Sequence, residues 1–271
     1  MFLESSCTGP FRSNIFFKEH IDILAASLHE NSPLQALGLA NCNLNAGSLS
    51  TLLPALTVLR NFRLLDLSHN PLLFSIQPDA LPVLRKYLPQ LPMLKKLQLA
   101  HTFMTPDHAI ALSEILPEIR SLAHFDALDN PMLVPGVTNQ DALGLPDVVN
   151  REGSLEEGAA LYTALLAAVK VSRTIVRMDI DDPGMGSGEV IRGLARKVVA
   201  FCLRNMENAE LYNDNPGAEP IEHNDTDDDE TYPGDGGKDD LVVGGTGVVK
   251  VDPIFTLSSK RSRANLAAVR P

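Results

Sequence analysis

Phe62-Arg-Leu-Leu65-Asp-Leu67-Ser-His-Asn70-Pro-Leu72 is the stretch that decides the fold. Its pattern is L-x-x-L-x-L-x-x-N-x-L, with Phe62 in the first apolar place. Leu65 and Leu67 alternate with Leu64, Asp66 and Ser68, so a short strand here has one apolar face and one outward face. Asn70 turns the chain away from the strand. Its amide can bond backbone groups of neighbouring turns of chain that would otherwise lack partners. Leu72 re-enters the core. One such coil cannot bury its own apolar edge, so coils must stack.

The pattern recurs. Leu34-x-x-Leu37-x-Leu39-x-x-Cys42-x-Leu44 fits throughout, with Cys in the Asn slot. Leu94-x-x-Leu97-x-Leu99-x-x-Thr102-x-Met104 places Thr there. Leu122-x-x-Phe125-x-Ala127-x-x-Asn130-x-Met132 keeps the Asn. Ile175-x-x-Met178-x-Ile180-x-x-Pro183-x-Met185 is the weakest copy, and Pro183 has no amide to offer, which predicts a looser turn. The second apolar position falls at residues 37, 65, 97, 125 and 178. The intervals 37 to 97 and 65 to 125 are equal, which points to a duplicated two-coil unit. Asn70-Pro-Leu-Leu and Asn130-Pro-Met-Leu agree with this, as do Asp79-Ala-Leu and Asp141-Ala-Leu. The longer last interval implies an insertion, about 133–153, read as a loop with one short helical turn.

Coils of this length carry a full helix. The chain resembles the ribonuclease-inhibitor-like leucine-rich-repeat family over residues 13–212. The resemblance implies an α/β right-handed solenoid, a horseshoe of about six coils with parallel inner strands and outer helices. The solenoid is expected over 1–213 and a disordered tail over 214–271. Helices are predicted at 14–30, 46–60 (capped by Asn45 or Ser48), 78–88, 106–119 (Thr105 as cap, Pro106 in the first turn), 154–171 and 187–207. Ser154-Leu-Glu156-Glu157 reads as a capping box for the fifth. A closing strand is predicted at 208–213. Met1 and Leu3 read as a strand's inward pair, with a turn at Ser6-Cys7. The first coil has no obvious polar cap, so the native protein is expected to extend further N-terminally or the chain to be a fragment.

Net charge is −11 over 271 residues, and the segment 207–271 holds most of it, 14 acidic residues against 6 basic. The body is nearly balanced, which argues against nucleic acid as a partner. Glu219 to Glu230 is an acidic run. The glycine-broken run 241–251 follows, with Gly244-Gly-Thr-Gly247 as a flexible turn and the basic run Ser258 to Arg263 as a possible acceptor of phosphate groups. Cys7, Cys42 and Cys202 read as reduced thiols, so the expected location is cytoplasmic or nuclear. The sequon at Asn224 would go unused there. No run has signal-peptide character or membrane-spanning length.

Catalytic and metal motifs are missing: no H-E-x-x-H, paired C-x-x-C or P-loop. His69, His101 and His124 fall at or beside strand ends, roughly on one rim. A solvated surface is their ordinary reading, because a triad or metal site needs spatial partners. No cofactor, metal or catalytic residue is expected. The outward strand positions form the candidate binding set: Asp66, Gln98, Asp126 and Asp179 in the central file (begun by Gly38), Lys96, His124 and Arg177 in the file before it, and His69 and Asp129 beside them. The acidic end, with Asp182, predicts a basic protein partner.

Lys197-Val-Val199-Ala-Phe201 matches the loose basic-x-Val-x-Phe docking pattern of protein phosphatase 1 regulators, which bind as strands. A helical stripe at Ile191, Leu194, Val198, Phe201 and Cys202 makes Val198 and Phe201 core residues instead. The run Leu65 to Pro71 and the coil spacing are similar to fungal leucine-rich-repeat proteins of cell-wall biogenesis or microtubule association, and to a metazoan phosphatase 1 regulatory subunit. These resemblances imply a non-catalytic intracellular protein-binding scaffold or regulatory subunit, with a phosphatase catalytic subunit among the partners. The alternative is a GTPase-activating protein of the Ran type, which shares the repeat and an acidic C-terminal segment.

Overall fold

Six three-residue strands form one parallel sheet in chain order in the computed structural model, which describes residues 2–4, 18–134, 151–184 and 187–214. The strands are β1 (Phe2–Glu4), β2 (Ala36–Gly38), β3 (Leu64–Asp66), β4 (Lys96–Gln98), β5 (His124–Asp126) and β6 (Arg177–Asp179). The helices are α1 (Lys18–Ser27), α2 (Ala46–Leu56), α3 (Leu81–Tyr87), α4 (Pro106–Ser113), α5 (Arg151–Ser172) and α6 (Gly188–Asp214). Each joins successive strands except α6, which follows the last. The fold is a leucine-rich-repeat solenoid.

The register places Leu3, Leu37, Leu65, Leu97, Phe125 and Met178 in one row. From Leu37 onward that row is buried. Leu34, Leu39, Phe62, Leu67, Leu94, Leu99 and Leu122 continue it into a single core with the inner faces of the helices. Each fully buried leucine contributes about 1.5–3 kcal/mol. Backbone ladders repeat from coil to coil. The amides of Leu39, Leu67, Leu99 and Ala127 donate to the carbonyls of Asp66, Gln98, Asp126 and Asp179.

Asn70 and Asn130 are fully buried and do the same work in the two halves of the duplication. Asn70 Oδ1 accepts from the amides of Cys42 (3.0 Å) and Leu44 (2.9 Å), and its Nδ2 donates to the carbonyls of Leu39, Leu67 and Ser68. Asn130 Oδ1 accepts from Thr102 (3.0 Å) and Met104 (2.9 Å), and its Nδ2 donates to Leu99, Ala127 and Leu128. Each amide thus reaches back to the loop whose own slot holds Cys42 or Thr102. The residues just before the slot, Asn41, His69, His101 and Asp129, have φ of 57, 58, 53 and 54°. Asn, Asp and His are the residue types that tolerate this left-handed region best, which accounts for the histidines in the repeat.

Several expectations change. The closing strand over 208–213 is absent, because α6 runs on through Asp214. Ser154, expected at the start of α5, lies inside it, because the helix includes Arg151 to Gly153. At the two edges of the expected insertion, a 3-10 turn spans Pro131–Leu133 and 151–153 are helical. Helix α2 ends at Leu56, four residues before its expected end, and α4 breaks at Ser113 before a 3-10 turn at Leu116–Glu118. Asn45 is the α2 cap and accepts from the Ser48 amide. Thr105 caps α4 with His108 closing a capping box. The first-coil turn at Ser6-Cys7, residues 135–150 and the tail from 215 onward, including its acidic, glycine-rich and basic runs, lie outside the described residues.

Candidate functional site

Four of the outward side chains converge where β5 meets β6. His124 and Asp126 are the first and last residues of β5, in register with Arg177 and Asp179 of β6. Side chains two apart on a strand share a face, so all four project from the open side of the sheet. His124 Nε2 lies 2.7 Å from Asp179 Oδ2. Arg177 Nε donates to both oxygens of Asp179, at 3.0 and 2.8 Å. Asp126 Oδ1 accepts from the Leu128 amide at 3.1 Å, and Oδ2 receives Gln98 Nε2 at 3.4 Å.

The carboxylates are the buried members. Asp179 is 3% exposed and Asp126 9%, against 18% for the His124 side chain and 25% for that of Arg177. Burial alone would raise the Asp179 carboxyl, but hydrogen bonds and charge from His124 and Arg177 outweigh it and hold the group below the ordinary 3.8. Among the described residues Asp126 has no ion pair. One carboxylate oxygen each from Asp126 and Asp179 and one ring nitrogen of His124 lie within 4.8 Å of one another.

One turn further on, Asp181 accepts the Asn130 amide at 3.2 Å. Burial, together with the neighbouring charges of Asp129 and Asp126, pushes its carboxyl up despite backbone hydrogen bonds from Asp129 and Asn130. Tyr162 of α5 donates to the Asp181 carbonyl at 3.0 Å, and burial and the adjacent acids raise its phenol. Asp182 accepts the Gly184 amide at 2.9 Å, and Gly184 takes φ +77°. A side-chain carboxylate and a glycine therefore make the turn that Pro183 cannot. On the helix side, Asn205 of α6 donates to the carbonyls of Val169 and Ile175. Cys202 is buried near Asp179, and its thiol is pushed up to about 12, chiefly by burial.

The structure therefore divides the expected site. Gln98, His124, Asp126, Arg177 and Asp179 come together. Asp66 stands in the same file on β3, two strands away, and holds the Ser68 amide. Lys96 lies between Leu64 and His124 in its own file. Asp129 is exposed in the turn after β5. The rim expectation for the histidines is corrected. His69 and His101 stack with ring centroids 5.1 Å apart beyond the strand ends, with Phe103 edge-on to His101, whereas His124 belongs to the strand cluster. Sequence reading missed Tyr162 and Asn205, which reach the site from helices. Asn205 continues the helical spacing Ile191, Val198, Cys202, and a polar residue on that stripe is a readable sign of a buried hydrogen-bonding role. Val198 is buried as expected, while Phe201 is half-buried beneath Lys170 and Arg204.

Known proteins place the repeat in context. Residues 14–130 match the family model described as the MHP1/HER1/GIP3 LRR domain. That segment is a leucine-rich-repeat domain. The chain is 25% identical over 171 residues to MAP-homologous protein 1 of Saccharomyces cerevisiae, a match covering 60% of the chain and 12% of that much longer protein. The tropomodulin C-terminal domain of Caenorhabditis elegans shares the fold at a TM-score of 0.50 and 14% identity, over 72% of this chain and 97% of that one. Leiomodin-1 actin-binding site 2 aligns at a TM-score of 0.47 and 10% identity, over 74% of this chain and 95% of that one. The family match ends at Asn130, so it includes β5 with His124 and Asp126 and stops short of β6 with Arg177 and Asp179. Among the described residues no helix is long and apolar enough to cross a membrane.

Proposed function

We propose that this chain is a non-catalytic protein-binding scaffold or regulatory subunit, which receives an extended basic segment of a protein partner on its open sheet face. The observation that carries the reading is the registered file Asp66, Gln98, Asp126, Asp179 across β3–β6, prolonged by Asp129, Asp181 and Asp182. Strands about 4.8 Å apart present these groups at a fixed pitch. Such a face favours lysine and arginine through its field, which acts on encounter rate and on choice of partner. Burial of the Cys202 thiol supports a reducing, intracellular setting. The phosphatase-docking pattern at Lys197 to Phe201 lends its partner no support, because α6 holds it helical with Val198 buried.

The face divides into charges that bind and charges that hold the fold. Reversal of Asp126 or Asp179 would test folding, since both are buried and hydrogen-bonded. Asp129 is exposed and Asp66 half-buried, so both reach solvent. Asn at both positions keeps the Asp66 acceptor and suits the left-handed backbone of Asp129. Fluorescence anisotropy with a lysine- and arginine-rich peptide should show binding that weakens about three- to tenfold in Asp66→Asn/Asp129→Asn and falls with salt. Equal affinity in the two proteins would remove this face from the reading. Acceleration of Ran GTP hydrolysis by the chain would instead make it a GTPase-activating protein.

A further inference from the structure

We propose that His124, Asp126 and Asp179 form a site for one divalent transition-metal cation, of which Zn2+ is the probe, clamping β5 to β6. The site rests on donor chemistry and placement. One imidazole nitrogen and two carboxylate oxygens lie within 4.8 Å of one another, and all three residues sit on adjacent, register-paired strands. Mixed nitrogen and oxygen donors suit a borderline ion of the zinc type, which takes them at about 2.0–2.2 Å. Rotamer adjustments on a rigid ladder are enough to bring them in.

A second observation points the same way. Asp126 is nine-tenths buried, and its outward oxygen meets only the neutral Gln98 amide, at 3.4 Å. A buried carboxylate ordinarily pairs with a cation or coordinates a metal. The outer shell is also in place. Arg177 Nε bonds both oxygens of Asp179, and the Leu128 amide bonds Asp126 Oδ1, so both carboxylates are oriented by outer partners. Loading requires the proton between His124 Nε2 and Asp179 to pass to solvent or to Nδ1, so that the neutral ring carries its proton on Nδ1. His124 Nε2 then exchanges its hydrogen bond to Asp179 for the ion, while Arg177 stays on the carboxylate. The ion draws no ligand from outside β5 and β6, so its effect is confined to that junction.

The test uses the full chain, stripped with EDTA and dialysed. Isothermal titration with Zn2+ should give one site per chain and a raised Tm, with Mg2+ giving neither. Asp126→Asn and His124→Asn should each weaken that site at least tenfold while the circular dichroism spectrum stays that of the parent. Two separate variants guard against one failing to fold. Titration without stoichiometric binding overturns the proposal, and so does Zn2+ binding that both variants retain, since the metal would then sit on other histidines or thiols.

Discussion

The junction between β4 and β5 is held by a neutral amide, and the one between β5 and β6 by carboxylates. The Asn130 side chain makes five hydrogen bonds to backbone groups and a sixth to the Thr102 hydroxyl, none to a charged group, and Asn70 repeats the five backbone bonds one duplicated unit earlier. In the last coil Pro183 stands where an amide would, and three acids share its task. Asp179 ties the strands through His124 and Arg177, Asp181 takes the backbone of Asn130, and Asp182 shapes the turn. A buried neutral amide needs only its hydrogen bonds, whereas buried carboxylates need cations or protons as well. The amide junctions are therefore structural throughout. The carboxylate junction holds the fold and also concentrates charge on the open face.

The sharpest way to break this contrast is to remove the amide. Asn130→Ala leaves the buried Thr102 and Met104 amides without partners and removes one of the two donors to the Leu99 carbonyl, which keeps the Thr102 hydroxyl. The expected loss in urea unfolding is about 3–5 kcal/mol, since each orphaned buried group costs about 1–3 kcal/mol. Asn70→Ala should match it, and neither loss should change with pH. A loss from Asn130→Ala that shrank in acid would erase the distinction between the two junctions.

The next largest effect belongs to Asp179→Asn, measured in EDTA. Losing the partner of Arg177 at a buried position should cost about 2–3 kcal/mol at neutral pH. The sign follows from linkage. A carboxyl held below 3.8 in the folded state contributes stability that is complete above that value and disappears as pH falls below it. The difference between parent and variant should therefore close in acid.

Asp181→Asn sharpens the comparison by acting in the opposite sense. A carboxyl raised in the folded state weakens the fold when ionised, and that penalty fades as pH falls through its raised pKa toward 3.8. The variant keeps an acceptor for the Asn130 amide. It should gain about 0.5 kcal/mol or less at pH 7, since solvent screens a group this exposed. A loss of stability at neutral pH would mean that the charge itself is needed there.

The legibility of the chain tracks the range of the forces involved. The row Leu37, Leu65, Leu97, Phe125 was readable because period-two alternation and coil spacing are local properties. The same holds for the Thr105 cap and for the interval that pairs Asn70 with Asn130. The end of α6 was not readable. Glu207 to Asp214 contains Asn208 and Asn213 and resembles a stop, yet the helix continues to Asp214. The site was half legible. Its file of acids could be listed from strand positions, but exposure could not, so Asp179 looked like a docking charge while it is a buried ion-pair partner.

Sequence alone determined the coil, its period, the file in which each outward residue stands and the amide slot that links neighbours. Those follow from alternation along a strand and repetition between strands, which need no knowledge of what lies opposite. Only the tertiary structure decided that residues 124 and 179, separated by the insertion and α5, lie 2.7 Å apart. It also decided that Tyr162 and Asn205 reach the last coil from helices and which acids are shielded from water. The reason is that burial and ion pairing depend on distances across the stack, which the spacing of residues along the chain does not encode.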